Sequence, residues 1–192
     1  SEKIVALTFD DGPHPKYTSE VLEVLGKYDA KGTFFLVGEL AEENPEVVWR
    51  MYEDGHELAN HTYTHPFRST ISKLLEEIKR TNETIFSITG YSPDLFRPVE
   101  GQYTDALIDA VTKEGYRVVM WSWHLDTEDW KDPGVDKIVN KVIGGTSIEC
   151  INEKDGTAGG GIWLNENYQK NGYGTEAFCA KIKYAFNELG LR

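Results

Sequence analysis

A chain of 192 residues, 40% hydrophobic and 27% charged, can bury one sizeable core and has a globular composition, which excludes disorder and collagen-like structure. Its net charge of −12, from 20 Lys+Arg against 32 Asp+Glu, argues against a nucleic-acid partner, which needs cations to displace counterions. No apolar run approaches the ~20 residues of a bilayer span, so no membrane partner is expected, and Cys150 and Cys179 make no disulfide framework.

Residues Ser1-Glu2-Lys3-Ile4-Val5 show no charged segment followed by an apolar one, so no signal peptide is expected in this chain. Ile4 to Phe9 reads as a strand that stops at the turn Asp10-Asp11-Gly12-Pro13. Thr18 or Ser19 caps a predicted helix with Val21, Leu22, Val24 and Leu25 on its inner face. Residues 32–38 form a buried strand bounded by glycines. Asn44-Pro45 opens another helix, which ends near Gly55. Glu57 to Asn60 leads into His61, and a longer helix is predicted over 69–89, with Ile71, Leu74, Leu75 and Ile78 at helical spacing.

The alternation continues with a strand at 94–97, a helix at 104–114 closed by Gly115, a strand at 116–123 and a short helix at 136–143. Five strand–helix units with buried apolar strands imply a parallel barrel or open sheet. In such folds functional groups gather at the C-terminal ends of the strands. After Ile143 the rhythm changes. Asp155-Gly156 between two strand-like runs signals a hairpin, and a Gly-containing loop and a helix at about 175–189 follow.

The richest chemical cluster lies early. Asp10 and Asp11 sit at the end of the first strand, and His61-Thr62-Tyr63-Thr64-His65 follows the third, its imidazoles four residues apart. Two imidazoles and one carboxylate are the protein ligands of a catalytic zinc-type site, with a position left for water and substrate. A second carboxylate beside that water can act as general base.

These residues carry a resemblance. Thr8-Phe9-Asp10-Asp11-Gly12-Pro13, His61-Thr62-Tyr63-Thr64-His65, Phe96-Arg97-Pro98 with Gly101, and Asp126-Thr127-Glu128-Asp129-Trp130 resemble four successive motifs of the polysaccharide deacetylases, carbohydrate esterase family four or NodB homology domain. The resemblance covers about residues 3–143. It implies a distorted (β/α) barrel that uses one divalent metal, zinc or cobalt, to remove acetyl groups from N- or O-acetylated polysaccharide, and it suggests a secreted or cell-wall-associated protein.

Residue by residue, Asp10 resembles the general base, and Asp11, His61 and His65 the metal ligands. Arg97 resembles the arginine that keeps the base ionised and oriented by lowering its pKa. Asp126 or Asp129 resembles the carboxylate that supports the catalytic acid. Phe96, Trp123 and Trp130 are candidates for the apolar wall that receives the acetyl methyl, with plain core the equal alternative. Val99-Glu100 departs from the family's usual proline and tyrosine. The family's final motif ends in a histidine that protonates the leaving amine, whereas the histidines here are at 14, 56, 61, 65 and 124, with none after 124.

The segment after 143 resembles a different family, the GNAT N-acetyltransferases. Gln169-x-x-Gly172-x-Gly174 is similar to their coenzyme A loop, which would place Gln169, Gly172 and Gly174 against the cofactor's phosphates. The likeness stops before the strand that makes the cofactor groove, so acetyl-coenzyme A is not expected as a cofactor. The expected organisation is a deacetylase-like barrel portion over 1–143 and an acetyltransferase-like hairpin, glycine loop and helix over 144–192. The fold class is α/β, an incomplete distorted barrel completed by a C-terminal β-hairpin plus helix. A single divergent deacetylase with drifted final units is the alternative. Three functions stay open: a metal-dependent deacetylase, impaired because the C-terminal catalytic His motif is absent; a chimeric scaffold with an intact metal site and no significant activity; and an acetyl-coenzyme A-dependent transferase. Oligomeric state is open.

Overall fold

The computed structural model describes residues 6–121 and 127–138, with short strands at 144–146, 149–152, 157–159 and 162–164. The chain divides into two compact units, Ala6–Met120, and Ser1–Val5 with Trp121–Arg192.

In the first unit, five parallel strands lie side by side in chain order: β1 (Leu7–Gly12), β2 (Gly32–Leu36), β3 (Glu57–Asn60), β4 (Leu95–Phe96) and β5 (Arg117–Val118). The chain is an α/β protein with a parallel sheet. Register brings the strand ends to one level, because Gly12 pairs with Leu36, Leu36 with Asn60, Asn60 with Phe96 and Phe96 with Val118. Residues just past those pairs are therefore neighbours. His61 N donates to Leu36 O at 2.9 Å and Arg97 N to Asn60 O at 3.0 Å. This ladder, rather than any local motif, sets His61 beside Arg97.

Helices α1 (Tyr17–Lys27), α2 (Gly38–Glu43), α3 (Pro45–Glu53), α4 (Ile71–Thr89) and α5 (Asp105–Lys113) connect the strands. Leu22, Leu25, Phe34, Leu36, Val48, Met51, Leu58 and Ile85 form one buried cluster; Ile78, Phe96, Leu107 and Val111 form a second. Each fully buried side chain of this kind contributes roughly 1.5–3 kcal/mol. No described helix is long and apolar enough to cross a membrane.

Several boundaries differ from expectation. β1 runs through both aspartates to Gly12, with an irregular register between Phe9 and Gly12 and Asp11 at φ 65°. Val24 is exposed, since the buried stripe of α1 is carried by Leu22 and Leu25. That helix starts at Tyr17, and neither Thr18 nor Ser19 caps it. His14 Nδ1 instead accepts the amides of Lys16 and Tyr17. Gly38 does not end a strand but opens α2, which lacks a local capping side chain; its first amides, Gly38 N and Glu39 N, donate to Thr62 O and Tyr63 O. A helix start capped from a distant loop leaves no local signature.

Local side chains and glycine set other helix ends. Thr70 and Thr104 cap α4 and α5 through Lys73 N and Leu107 N, and Gly90 takes the left-handed conformation (φ 74°) that closes α4. β5 is shorter than predicted, and residues 122–126, including Trp123, His124 and Asp126, lie outside the described residues.

In the second unit, residues 135–138 are helical. The hairpin expected around Asp155-Gly156 is present as β7 (Glu149–Asn152) paired antiparallel with β8 (Thr157–Gly159), and β6 (Gly144–Thr146) pairs antiparallel with β9 (Ile162–Leu164). The loop with Gln169, Gly172 and Gly174 and the predicted helix at 175–189 lie outside the described residues.

Candidate metal centre and active site

Asp10 and Asp11 adjoin in β1, yet their surroundings are opposite. Asp10 is mostly buried, and Arg97 Nη1 donates to its Oδ1 at 2.5 Å. Arg97 is itself 2% exposed and is held on three sides. Nη1 also donates to Thr8 Oγ1 at 3.0 Å, Nε donates to Val119 O at 3.1 Å, and the guanidinium lies 3.9 Å from the Phe35 ring centre. A planar cation fixed this way aims one N–H at one carboxylate oxygen.

The electrostatic outcome corrects the sequence expectation. Burial pushes the Asp10 carboxyl above the usual range, and the opposing pull of Arg97 and His61 only partly offsets it. Arg97 orients Asp10 and restrains the rise, but does not produce a net lowering. Asp11 goes the other way. Its contacts with His61, and then His65, hold its carboxyl below the usual range despite partial burial.

Asp11 Oδ1 lies 3.2 Å from His61 Nε2 and 3.0 Å from His65 Nε2. One donor atom from each of the three residues falls within 4.8 Å of the others. The chemistry of the set fits a metal ion. His61 Nδ1 lies 2.8 Å from the Arg97 carbonyl, which can only accept, so Nδ1 carries the proton and donates. In the neutral ring Nε2 is then a bare lone pair facing a carboxylate oxygen. Two acceptors at that distance require a cation between them, a proton or a metal. Fixing a ligand imidazole through its other nitrogen is also how metal sites orient histidines.

The His-x-x-x-His spacing works here as a loop. Thr62 and His65 both have left-handed backbones, φ 71° and 53°, and the imidazole centres come to 5.1 Å. Such conformations cost of order 1–3 kcal/mol each in non-glycine residues and persist where surroundings over-determine them. The buried Thr62 hydroxyl has no hydrogen-bond partner among the described residues. Gly38 allows the loop to close, because a Cβ there would collide with the Tyr63 ring and come 2.7 Å from Thr81 Oγ1.

The sheet thus brings together Asp10, Asp11, His61, His65 and Arg97. Phe96 does not face this cluster as an acetyl-methyl wall; it is fully buried in the second apolar cluster, its core alternative. Asp129 accepts from Thr127 Oγ1, and Trp130 is exposed beside Lys131; both belong to the unit made of Ser1–Val5 and Trp121–Arg192. Sequence reasoning missed Asn60 and Glu77, which hold the histidine loop. A polar residue closing a buried strand is a usable signal for Asn60. A glutamate inside a helix gives none.

A family model described as polysaccharide deacetylase matches residues 1–119. The chain belongs to the polysaccharide deacetylase family. Among its relatives, a peptidoglycan-N-acetylglucosamine deacetylase from Bacillus cereus is 43% identical over 144 residues, 74% of this chain and 68% of that protein. A chitooligosaccharide deacetylase from Sinorhizobium fredii is 37% identical over 142 residues, 72% and 65% of the two chains. The solved peptidoglycan deacetylase PdaC from Bacillus subtilis superposes with a TM-score of 0.68 at 38% identity, covering 73% of this chain and 68% of that chain. The match spans about two thirds of these chains but only 30% of the whole PdaC protein and 57% of a second Bacillus cereus peptidoglycan-N-acetylglucosamine deacetylase. A second family model, an acetyltransferase (GNAT) domain, matches residues 91–192 and overlaps the first over 91–119. In that overlap β4 and β5 are strands of the parallel sheet that carries Arg97, and the helix α5 lies between them in the chain.

Proposed function

We propose that this protein is a metal-dependent hydrolase of N- or O-acetyl groups on polysaccharide or oligosaccharide, peptidoglycan-like or chitin-like. The supporting observation is the convergence of Asp11, His61 and His65 beside the Asp10–Arg97 pair. Asp11, His61 and His65 would hold one zinc or cobalt ion, which supplies Lewis acidity toward water and the acetyl carbonyl. Asp10 takes the proton of the attacking water. Arg97, donating to Asp10 Oδ1, fixes which carboxylate oxygen is left to face the water.

The leaving amine needs a proton, and here the reading turns to impairment. His124 is the last imidazole of the 192 residues, and positions 144–192 resemble acetyltransferases rather than the final barrel units. Without a well-placed acid, amide hydrolysis falls by ~10²–10⁴-fold, whereas esters suffer less because an alkoxide leaves more readily. Asp126 or Asp129 would support the acid, and Trp123 and Trp130 would contact the sugar. Division of the chain at 143/144, a secreted or cell-wall location, and a coenzyme A loop at Gln169, Gly172 and Gly174 without useful cofactor binding belong to the same proposal.

The test compares kcat/KM for an N-acetylated oligosaccharide and an acetate ester with those of a complete family member. A loss concentrated on the amide is expected. Parity on the amide would overturn the impairment, and micromolar coenzyme A binding by calorimetry would overturn the reading of the C-terminal segment.

A further inference from the structure

The histidine loop is held from outside its own sequence. Thr62 N donates to Asn60 Oδ1 at 2.9 Å, and the amides of Tyr63 and Thr64 both donate to Glu77 Oε2, at 2.9 and 2.6 Å. Thr64 Oγ1 adds a third donor to the same oxygen at 3.1 Å. Asn60 is fully buried and tied to α4, its Nδ2 donating to Ile78 O at 2.8 Å and to Asn82 Oδ1 at 2.7 Å. The loop carbonyls of Thr62 and Tyr63 accept from Gly38 N and Glu39 N. With His61 N on Leu36 O, every amide from 61 to 64 has a partner.

We propose that Glu77, on α4 and outside the donor set, is a positioning residue that locks the His61–His65 loop in the conformation where both imidazoles meet Asp11. Two left-handed residues, one of them β-branched and buried, make that conformation locally unfavourable. A single carboxylate oxygen gathering two consecutive amides is the bond set that selects it. Removing Glu77 frees Tyr63 N and Thr64 N to seek water and lets His65, the more exposed imidazole, swing away from Asp11. Asn60 anchors the start of the loop, so His61 is affected less. The inference rests on the reading of Asp11, His61 and His65 as metal donors.

The experiment titrates metal-free Glu77→Ala and Glu77→Gln in the 192-residue chain with Co2+, following affinity and visible absorption, and measures amide exchange at Tyr63 and Thr64 without metal. Glu77→Ala should lose ~10–100-fold in Co2+ affinity, the usual scale for groups that orient ligands, change the cobalt spectrum and expose both amides. Glu77→Gln keeps an acceptor oxygen and should restore affinity and spectrum. Unchanged Co2+ affinity in Glu77→Ala would overturn the proposal, as would equal losses in both variants that track only their melting temperatures. If Glu77→Ala does not fold, the unmodified protein decides: slow exchange at Tyr63 and Thr64 supports the lock, and exchange at free-peptide rates overturns it. Protein that binds Co2+ yet releases no acetate would sink the deacetylase reading and leave the lock standing. Protein that binds no metal would sink the donor assignment, and the exchange rates would still decide the lock.

Discussion

His56 and His61 flank the two ends of β3, both buried, and their hydrogen bonds run in opposite directions. His56 Nδ1 accepts the Gly32 amide at 3.1 Å while its ring packs edge-on against Phe34, so its proton sits on Nε2. His61 Nδ1 faces the Arg97 carbonyl, so its proton sits there and Nε2 is left to bind. Burial alone says nothing about which histidine is chemical. The backbone partner decides: a histidine that accepts from an amide is fastened into the fold, and one that donates to a carbonyl presents a lone pair. Position on the sheet agrees, since His56 lies at the N-terminal edge of the strand and His61 at the C-terminal edge, where parallel sheets gather their chemistry.

The largest expected effect separates the two. His61→Ala should reduce metal uptake from about one equivalent to none, while His56→Gln, which retains an acceptor for Gly32 N, should bind metal as the parent does. Metal analysis of dialysed, reloaded protein measures both, and equal uptake by His61→Ala would erase the contrast. A smaller loss is expected at the strand's functional edge from Gly38→Ala. Its Cβ would overlap the Tyr63 ring, so unfolding should be easier by roughly 1–3 kcal/mol, as in overpacked cores. Denaturant titration tests this, and an unchanged midpoint would mean that the loop yields more readily than its bonds suggest.

The smallest effect is a pH slope from the other edge. Burial, helped by Lys31, holds the His56 imidazole below its ordinary value of 6.5. The unfolded chain then binds the proton more readily than the folded one. The stability owed to neutral His56 is present above pH 6.5 and is lost as pH falls from there through the folded value. Melting temperatures from pH 7.5 down to 5 should decline more steeply for the parent than for His56→Gln, whose amide does not titrate. Parallel curves would show that His56 takes up its proton inside the fold without penalty.

Much of this was legible in the chain. Alternating apolar runs and turn residues marked the strand–helix units, and Gly55 and Gly115 marked helix ends where the chain takes a left-handed conformation. Asp11, His61 and His65 were legible because their residue types at strand ends limit the chemistry. What stayed hidden depends on contacts far apart in sequence. The helix at Gly38–Glu43 is capped by the histidine loop, 24 residues onward. Glu77 looks like any solvent-facing helix position until the fold brings Tyr63 N and Thr64 N to it. The sign of the Asp10 shift was also out of reach, because the cation was readable and the extent of burial was not.

The most direct test of the account is acetate release from an acetate ester and an N-acetylated oligosaccharide by dialysed protein, with and without added Zn2+ or Co2+, beside Asp10→Asn. The account predicts release that requires metal, favours the ester, and falls ~10²–10⁴-fold in Asp10→Asn while metal uptake is retained. Release that is independent of metal, or undiminished in Asp10→Asn, would contradict it.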